Sequence, residues 1–308
     1  MNSPLIFILG PTATGKTEIA IRLAQHISAE IVSLDSRQLY RQMNIGTAKP
    51  TSAQREAIPH HMIDCTDIDQ HFSVADYQRF SDAALADIRK RHRPALVVGG
   101  AGLYFRALVD GLFPGPGADF KTRERLRQEA AENGAPTLHE RLYECDPNSA
   151  ARIHPNNMVR IIRALEVYEL TGKPISELQV QWKNAEARYE FRAFGLDMPR
   201  AKLKNRIEAR ADRMMKVGLV EEVKRILDAG YSPDCVALRS FGYKEIIDYL
   251  GGQLTLSEAV ALLKQNTRQF AKRQLTWFRG DSRIEWIDLS LFASIDDVVN
   301  HLMETNLG

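Results

Sequence analysis

Gly10 to Thr17 reads GPTATGKT, the spacing of a phosphate-binding loop in which backbone N–H groups and a helix N-terminus hold phosphate oxygens. Gly10, Pro11, Thr12, Ala13, Thr14 and Gly15 would form the cradle. Lys16 would neutralise phosphate charge, and the Thr17 hydroxyl reads as a ligand for Mg²⁺. Asp35 opens DSRQLY directly behind an apolar run. A carboxylate there can accept a proton, hold a metal or cap the turn that follows. GGAGLY at 99–104 follows another apolar run, and reads as flexible backbone near the same edge or as a tight turn with a buried Tyr104.

Arginines and lysines recur at helical spacing. Arg206, Arg210 and Arg213 share one helix face, with Met214, Val217 and Val220 available for a core, and one of these arginines could reach a phosphate. Arg160 and Arg163 share another face. Lys264, Arg268 and Lys272 recur every fourth residue, Arg273 and Arg279 follow, and no acid stands between Lys264 and Arg279. Leu263, Phe270, Ala271 and Phe278 form the opposing apolar stripe. For each cationic group the alternative is a solvated charged face.

These residues need a frame. Leu5–Leu9 is a short continuous apolar run, and Lys16–Ile27 follows with helical periodicity. Runs at Ile31–Leu34, Ala95–Val98, Phe191–Leu196 and Ile284–Leu289 read as parallel strands covered on both faces, which is an α/β core with strands from both ends of the chain. PGPG at 114–117 breaks regular structure, and charged helical patterns run from Lys121 to about Gly172. The expected division is a core of 1–118 and 196–308 interrupted by a mainly helical insertion at 119–195. Helices are also expected over Arg200–Gly218, Leu219–Ala229 and Glu258–Phe278.

The 308 residues carry 41 Lys plus Arg against 39 Asp plus Glu, a formal charge of +2. Totals alone therefore give no sign of a polyanion partner, and any basic surface must come from arrangement. Acids such as Glu221 and Glu222 offset the cations elsewhere along the chain. Cys65, Cys145 and Cys235 are too few and too scattered for a disulfide framework or a CxxC zinc site. The histidines, His60 and His61 included, make no HxxxH or HExxH, and there is no GxSxG. No charged leader precedes Leu5 and no stretch approaches 18 apolar residues, so the expectation is a cytoplasmic chain without a membrane span.

In order along the chain, GPTATGKT, DSRQLY, GTAKP (46–50), PHHMID (59–64), GGAGLY, ARIHPNNMVRIIRALEVYELTGKPIS (151–176), FGYKE (241–245) and QFAKRQLTWFRG (269–280) resemble the tRNA dimethylallyltransferase (tRNA isopentenyltransferase) family. The resemblance implies a P-loop NTPase-like, kinase-like core whose helical insertion grips the anticodon stem. It implies transfer of a dimethylallyl group from dimethylallyl diphosphate to the exocyclic N6 amine of the adenosine 3′-adjacent to the anticodon. Asp35 matches the general base, Thr17 the Mg²⁺ ligand, and Lys16 with Arg210, or next Arg206, the groups that stabilise departing diphosphate. Asp35, Ser36, Arg37 and Gln38 would meet the target base or its neighbours. Val159, Arg160, Ile161, Ile162 and Arg163 match a tRNA-contacting stretch. So do Arg239, Ser240, Phe241, Gly242, Tyr243 and Lys244, and likewise Lys272, Arg273, Gln274, Leu275, Thr276, Trp277, Phe278 and Arg279. Arg123 and Ala101 match single contacts, although Ala101 stands where Thr is commoner. The implied partners are tRNA and dimethylallyl diphosphate, met by a monomer without a membrane. The competing expectations are a small-molecule kinase and a noncatalytic, nucleotide-sensing RNA-binding module.

Overall fold

The computed structural model describes residues 4–113, 115–179 and 186–307. Pro114, part of the Pro-Gly break, lies outside the described residues. Leu5–Leu9 forms β1, in which every residue is buried, as a run without polar positions requires. Then come α1 (Lys16–Ile27), β2 (Glu30–Leu34), α2 (Ser52–Ala57), β3 (His60–His61), α3 (Val74–Lys90), β4 (Ala95–Gly99) and α4 (Gly102–Val109). The insertion holds α5 (Phe120–Asn133), α6 (Ala135–Cys145), α7 (Pro147–Ala150), α8 (Met158–Thr171) and α9 (Ile175–Leu178). The chain closes with β5 (Phe191–Asp197), α10 (Arg200–Lys216), α11 (Leu219–Asp228), α12 (Tyr243–Leu250), α13 (Leu256–Arg279), β6 (Ile284–Asp288) and α14 (Ile295–Leu307).

The sheet is parallel throughout, in the order β3-β2-β4-β1-β5-β6. Alternation along β1 sends Leu5, Phe7 and Leu9 into one core layer with Val32, Leu34, Tyr77, Phe105 and Phe278. Ile6 and Ile8 enter the other layer, with Ile19, Leu23, Leu96, Phe194 and Leu302. Helices therefore cover both faces, as a parallel sheet needs. The register sets Leu9 beside Gly99 and Gly99 beside Leu34, so Gly10, Gly100 and Asp35 leave the sheet together at its carboxyl edge.

The compact units divide at Val109/Asp110 and Arg188/Tyr189, which moves both boundaries expected from composition. Residues 110–118 join the insertion because Arg163 Nη2 donates to Pro116 O at 2.9 Å. Phe191 joins the core because β5 pairs with β1 from Leu5↔Phe191 onward. Within the insertion, Leu126, Leu138, Leu142, Ile161, Leu165 and Val167 form a separate core. Gly172, at φ 68°, ends α8 where the TGKP signal places a stop.

Candidate active site

Between β1 and α1 the loop residues draw in on themselves. Thr14 Oγ1 donates to Pro11 O at 2.9 Å, and Lys16 Nζ donates to the same carbonyl at 2.6 Å. Gly15 caps α1 in the left-handed region at φ 96°, a conformation that costs glycine least. The first N–H groups of α1 thus open toward the carboxyl edge, where open α/β sheets bind ligands.

The cations gathered here oppose one another. Burial pulls the Lys16 ammonium from 10.5 down to about 7, the Arg210 guanidinium adds to this fall, and Asp35 counters it. Burial also lowers Arg210, against the pull of Asp35 and with help from Arg213. Arg210 Nη1 reaches Thr12 Oγ1 at 3.3 Å. A Cβ on Gly15 would lie 3.3 Å from Arg206 Nη2, so both arginines flank the loop while Arg210 shares the field of Lys16 and Asp35. Desolvated cations of this kind gain most from an anion with several oxygens.

Asp35 combines two readings of its position. Its Oδ1 accepts from Arg37 N at 2.8 Å and Gln38 N at 3.3 Å, capping the turn and fixing the carboxylate. Oδ2 accepts no hydrogen bond among the described residues. Leu34 O, immediately before it, accepts from Gly100 N and Ala101 N, each at 3.1 Å. Ala101 therefore ties GGAGLY to DSRQLY through backbone alone. Of the residues behind Asp35, Gln38 accepts from Ser33 Oγ at 3.0 Å, and Arg37 Nη1 donates to Val236 O at 3.1 Å.

Gln274, expected among tRNA contacts, is buried in α13. Its Oε1 accepts from Thr12 N at 2.9 Å, and its Nε2 donates to Gly100 O at 3.0 Å. It fastens the phosphate loop to the loop behind β4 and presents no polar atom outward. Other expected contacts are interior too. Phe278 packs against the sheet, Tyr243 lies in the core formed with α11 and α12, and Ile161 and Ile162 lie in the core of the insertion. Ser240 is buried. Val217 is exposed instead of packed, because α10 ends at Lys216.

Several cations are neutralised from within. Lys264 Nζ meets Asp212 at 2.6 Å and Arg268 meets Glu208 at 2.8 Å, so the first half of the basic stripe faces the acids of α10. Arg279 pairs with Asp197 at 2.5 Å, and Lys244 with Asp248 at 2.6 Å. Arg239 lies 3.6 Å from Asp234 in an exposed pair. Lys272, Arg273 and Thr276 are exposed on the second half of α13. In the insertion, Arg123 and Arg163 serve the buried Glu166, at 2.8 and 2.6 Å. Burial raises the Glu166 pKa, but bonds from Arg123, Arg163 and Asp119 N outweigh it and hold the carboxylate below its ordinary range. Val159 and Arg160 remain exposed on α8.

Glu222, counted from sequence only in the charge balance, is buried and organises GTAKP. It accepts from Asn44 N, Ile45 N and Gly46 N at 3.1, 2.9 and 3.2 Å, and from Tyr243 Oη at 2.6 Å. A Cβ on Gly46 would fall 2.4 Å from the Tyr243 ring, so only glycine fits. Two residues of GTAKP and PHHMID also meet directly: buried Lys49 donates to Asp64 Oδ1 at 2.6 Å.

Among the described residues no group of three or more His, Cys, Asp or Glu side chains converges, and no helix is long and apolar enough to cross a membrane. The Thr17 hydroxyl would be a protein ligand for a cation at the loop. That suits a small divalent ion carried largely by phosphate oxygens and water, not one caged by protein.

The IPP transferase family matches residues 38–281. The chain is 49% identical over 291 residues to a tRNA dimethylallyltransferase of Symbiobacterium thermophilum, covering 94% of this chain and 91% of that one. It is 47% identical over 287 residues to one of Geobacter sulfurreducens, covering 93% and 92%. The solved tRNA isopentenylpyrophosphate transferase of Bacillus halodurans superposes with a TM-score of 0.72 at 39% identity, covering 99% and 97%. A eukaryotic dimethylallyltransferase acting on tRNA superposes at 0.77 and 27%, covering 93% of this chain and 74% of that one. These likenesses favour neither a small-molecule kinase nor a noncatalytic module, and with its P-loop NTPase-like parallel core the chain belongs to the tRNA dimethylallyltransferase (IPP transferase) family.

Proposed function

We propose that this chain transfers the dimethylallyl group of dimethylallyl diphosphate to the exocyclic N6 amine of the adenosine 3′-adjacent to the anticodon of tRNA. The observation that carries the reading is the common field of Lys16, Arg210 and Asp35, two desolvated cations and one carboxylate at the mouth of a phosphate loop. Gly10 to Thr17 binds the diphosphate as leaving group. The bond between the allylic carbon and oxygen breaks, its electron pair departs with diphosphate, and the amine nitrogen forms the new bond to carbon. Lys16 and Arg210 stabilise the departing charge, with Arg206 at the loop's flank. Asp35 Oδ2 takes the amine proton while Oδ1 stays locked in its turn. Mg²⁺, held by Thr17 and phosphate oxygens, would supply further positive charge to the leaving group.

The adenine must leave its stack to reach Asp35, beside Ser36, Arg37 and Gln38. Exposed cations with no acidic partner among the described residues, Lys272 and Arg273 on α13 and Arg160 on α8, supply phosphate contacts, with Val159 and Thr276 adjacent. The insertion takes the anticodon stem, and the protein works as a monomer in the cytoplasm. Incubation with labelled dimethylallyl diphosphate and total tRNA, followed by nucleoside analysis, tests this reading. Label on an adenosine nucleoside supports it, whereas phosphate transfer from ATP with the allyl diphosphate untouched refutes it.

A further inference from the structure

His60 lies in the two-residue strand β3, in register with Ile31 of β2. That register turns its ring toward the α1 side of the sheet, the layer that holds Ile31, Leu96 and Val98. His60 Nδ1 lies 2.7 Å from Ile58 O. A carbonyl only accepts, so Nδ1 carries the proton and Nε2 of the neutral ring is an acceptor. Nε2 is buried and has no hydrogen-bond partner among the described residues. His60 is one of the residues that line a cavity of about 20 Å³, with Thr17, Ser33 and Gln38 among apolar neighbours. One ordered water needs roughly 10–15 Å³ and two to four polar partners.

We propose that this cavity is a binding site for one structural water, which accepts the Thr17 hydroxyl proton and donates to His60 Nε2. The chain Thr17 O–H to water to His60 then has a single direction, because Ile58 O fixes the tautomer at its far end. A hydroxyl has one proton and two lone pairs. With its proton committed to the buried side, Thr17 turns its lone pairs toward the phosphate loop, where a cation or its water shell would meet them. His60 is thus a positioning residue acting through Thr17, and its effect on diphosphate binding rests on the function proposed above. The water itself does not depend on that function.

A crystal structure of the full chain at a resolution that shows waters tests the site. The expected result is one ordered water within hydrogen-bond distance of both His60 Nε2 and Thr17 Oγ1. A His60 ring satisfied by protein, or a cavity without that water, overturns the proposal. Calorimetry with inorganic pyrophosphate and Mg²⁺ tests the consequence. His60→Phe should weaken binding about 10-fold, the lower range for outer-shell partners of a metal ligand. His60→Gln, whose amide oxygen can accept from the water, should recover most of it, with thermal melting confirming that both variants fold. Equal loss in both variants, or none in His60→Phe, removes His60 from the role. A failed transfer assay with the water in place would instead count against the function.

Discussion

The Tyr243 hydroxyl donates to Glu222 Oε1 at 2.6 Å where neither side chain reaches solvent. Each pins a different part of GTAKP: Glu222 holds three backbone N–H groups, and the Tyr243 ring closes over Gly46. Tyr243→Phe should lower unfolding free energy by about 1.5–3 kcal/mol, the range for one hydrogen bond to a carboxylate, because Ile45 N and Gly46 N still reach Oε1. Urea denaturation checks this, and a variant as stable as the parent would show that the pair contributes nothing.

Asp35→Asn separates the two oxygens of that side chain. The amide oxygen can still accept from Arg37 N and Gln38 N, so the turn survives, but no base remains. The expected outcome is a fall in turnover of roughly 10²- to 10⁴-fold with tRNA affinity kept. Single-turnover assays beside a gel-shift titration check it, and unchanged turnover would remove Asp35 as the base.

Lys16 links ligand binding to pH. Its folded pKa of about 7 lies below the ordinary 10.5, so between those values the unfolded chain binds more protons. This residue's contribution therefore favours the fold increasingly as pH rises from 7 toward 10.5. An anion at the loop reverses the penalty on the ammonium, so pyrophosphate binding near pH 8 should take up close to one proton. Binding enthalpies in two buffers of different ionisation enthalpy measure this uptake. The same uptake in Lys16→Met would assign the proton elsewhere.

The two halves of α13 should differ in their salt response. Lys272→Ala should make the log-log salt slope of tRNA binding shallower by up to about 1, as loss of one phosphate contact does. Lys264→Ala should leave it nearly unchanged, because Asp212 already occupies that ammonium. Equal slopes for the two variants would mean that α13 does not discriminate between them.

The central strands were most legible where a run such as Leu5–Leu9 is buried on both faces and contains no polar position to blur it. His60–His61 could not be read as a strand, since two polar residues form no apolar run. The strand–loop–helix turn at Gly10–Thr17 was legible from its spacing, and the place of Asp35 at the sheet's carboxyl edge from the apolar run that it follows. Glu222 was not: beside Glu221 on an amphipathic helix it looks like a solvent acid, and only the fold brings the Asn44–Gly46 backbone to it. The same holds for Arg123 and Arg163, whose charge answers Glu166 within the insertion. Regular spacing shows which residues share a helix face but not which neighbouring element that face meets.

Gln274 grips Thr12 across 262 positions of sequence. On a ribosome the phosphate loop emerges first, and its clasp emerges only after β5 and most of α13. A polypeptide halted anywhere short of that point would carry the loop's residues without the side chain that secures them. The phosphate loop is thereby secured only once α13 is in place, so a chain cut before Gln274 should hold that loop less firmly.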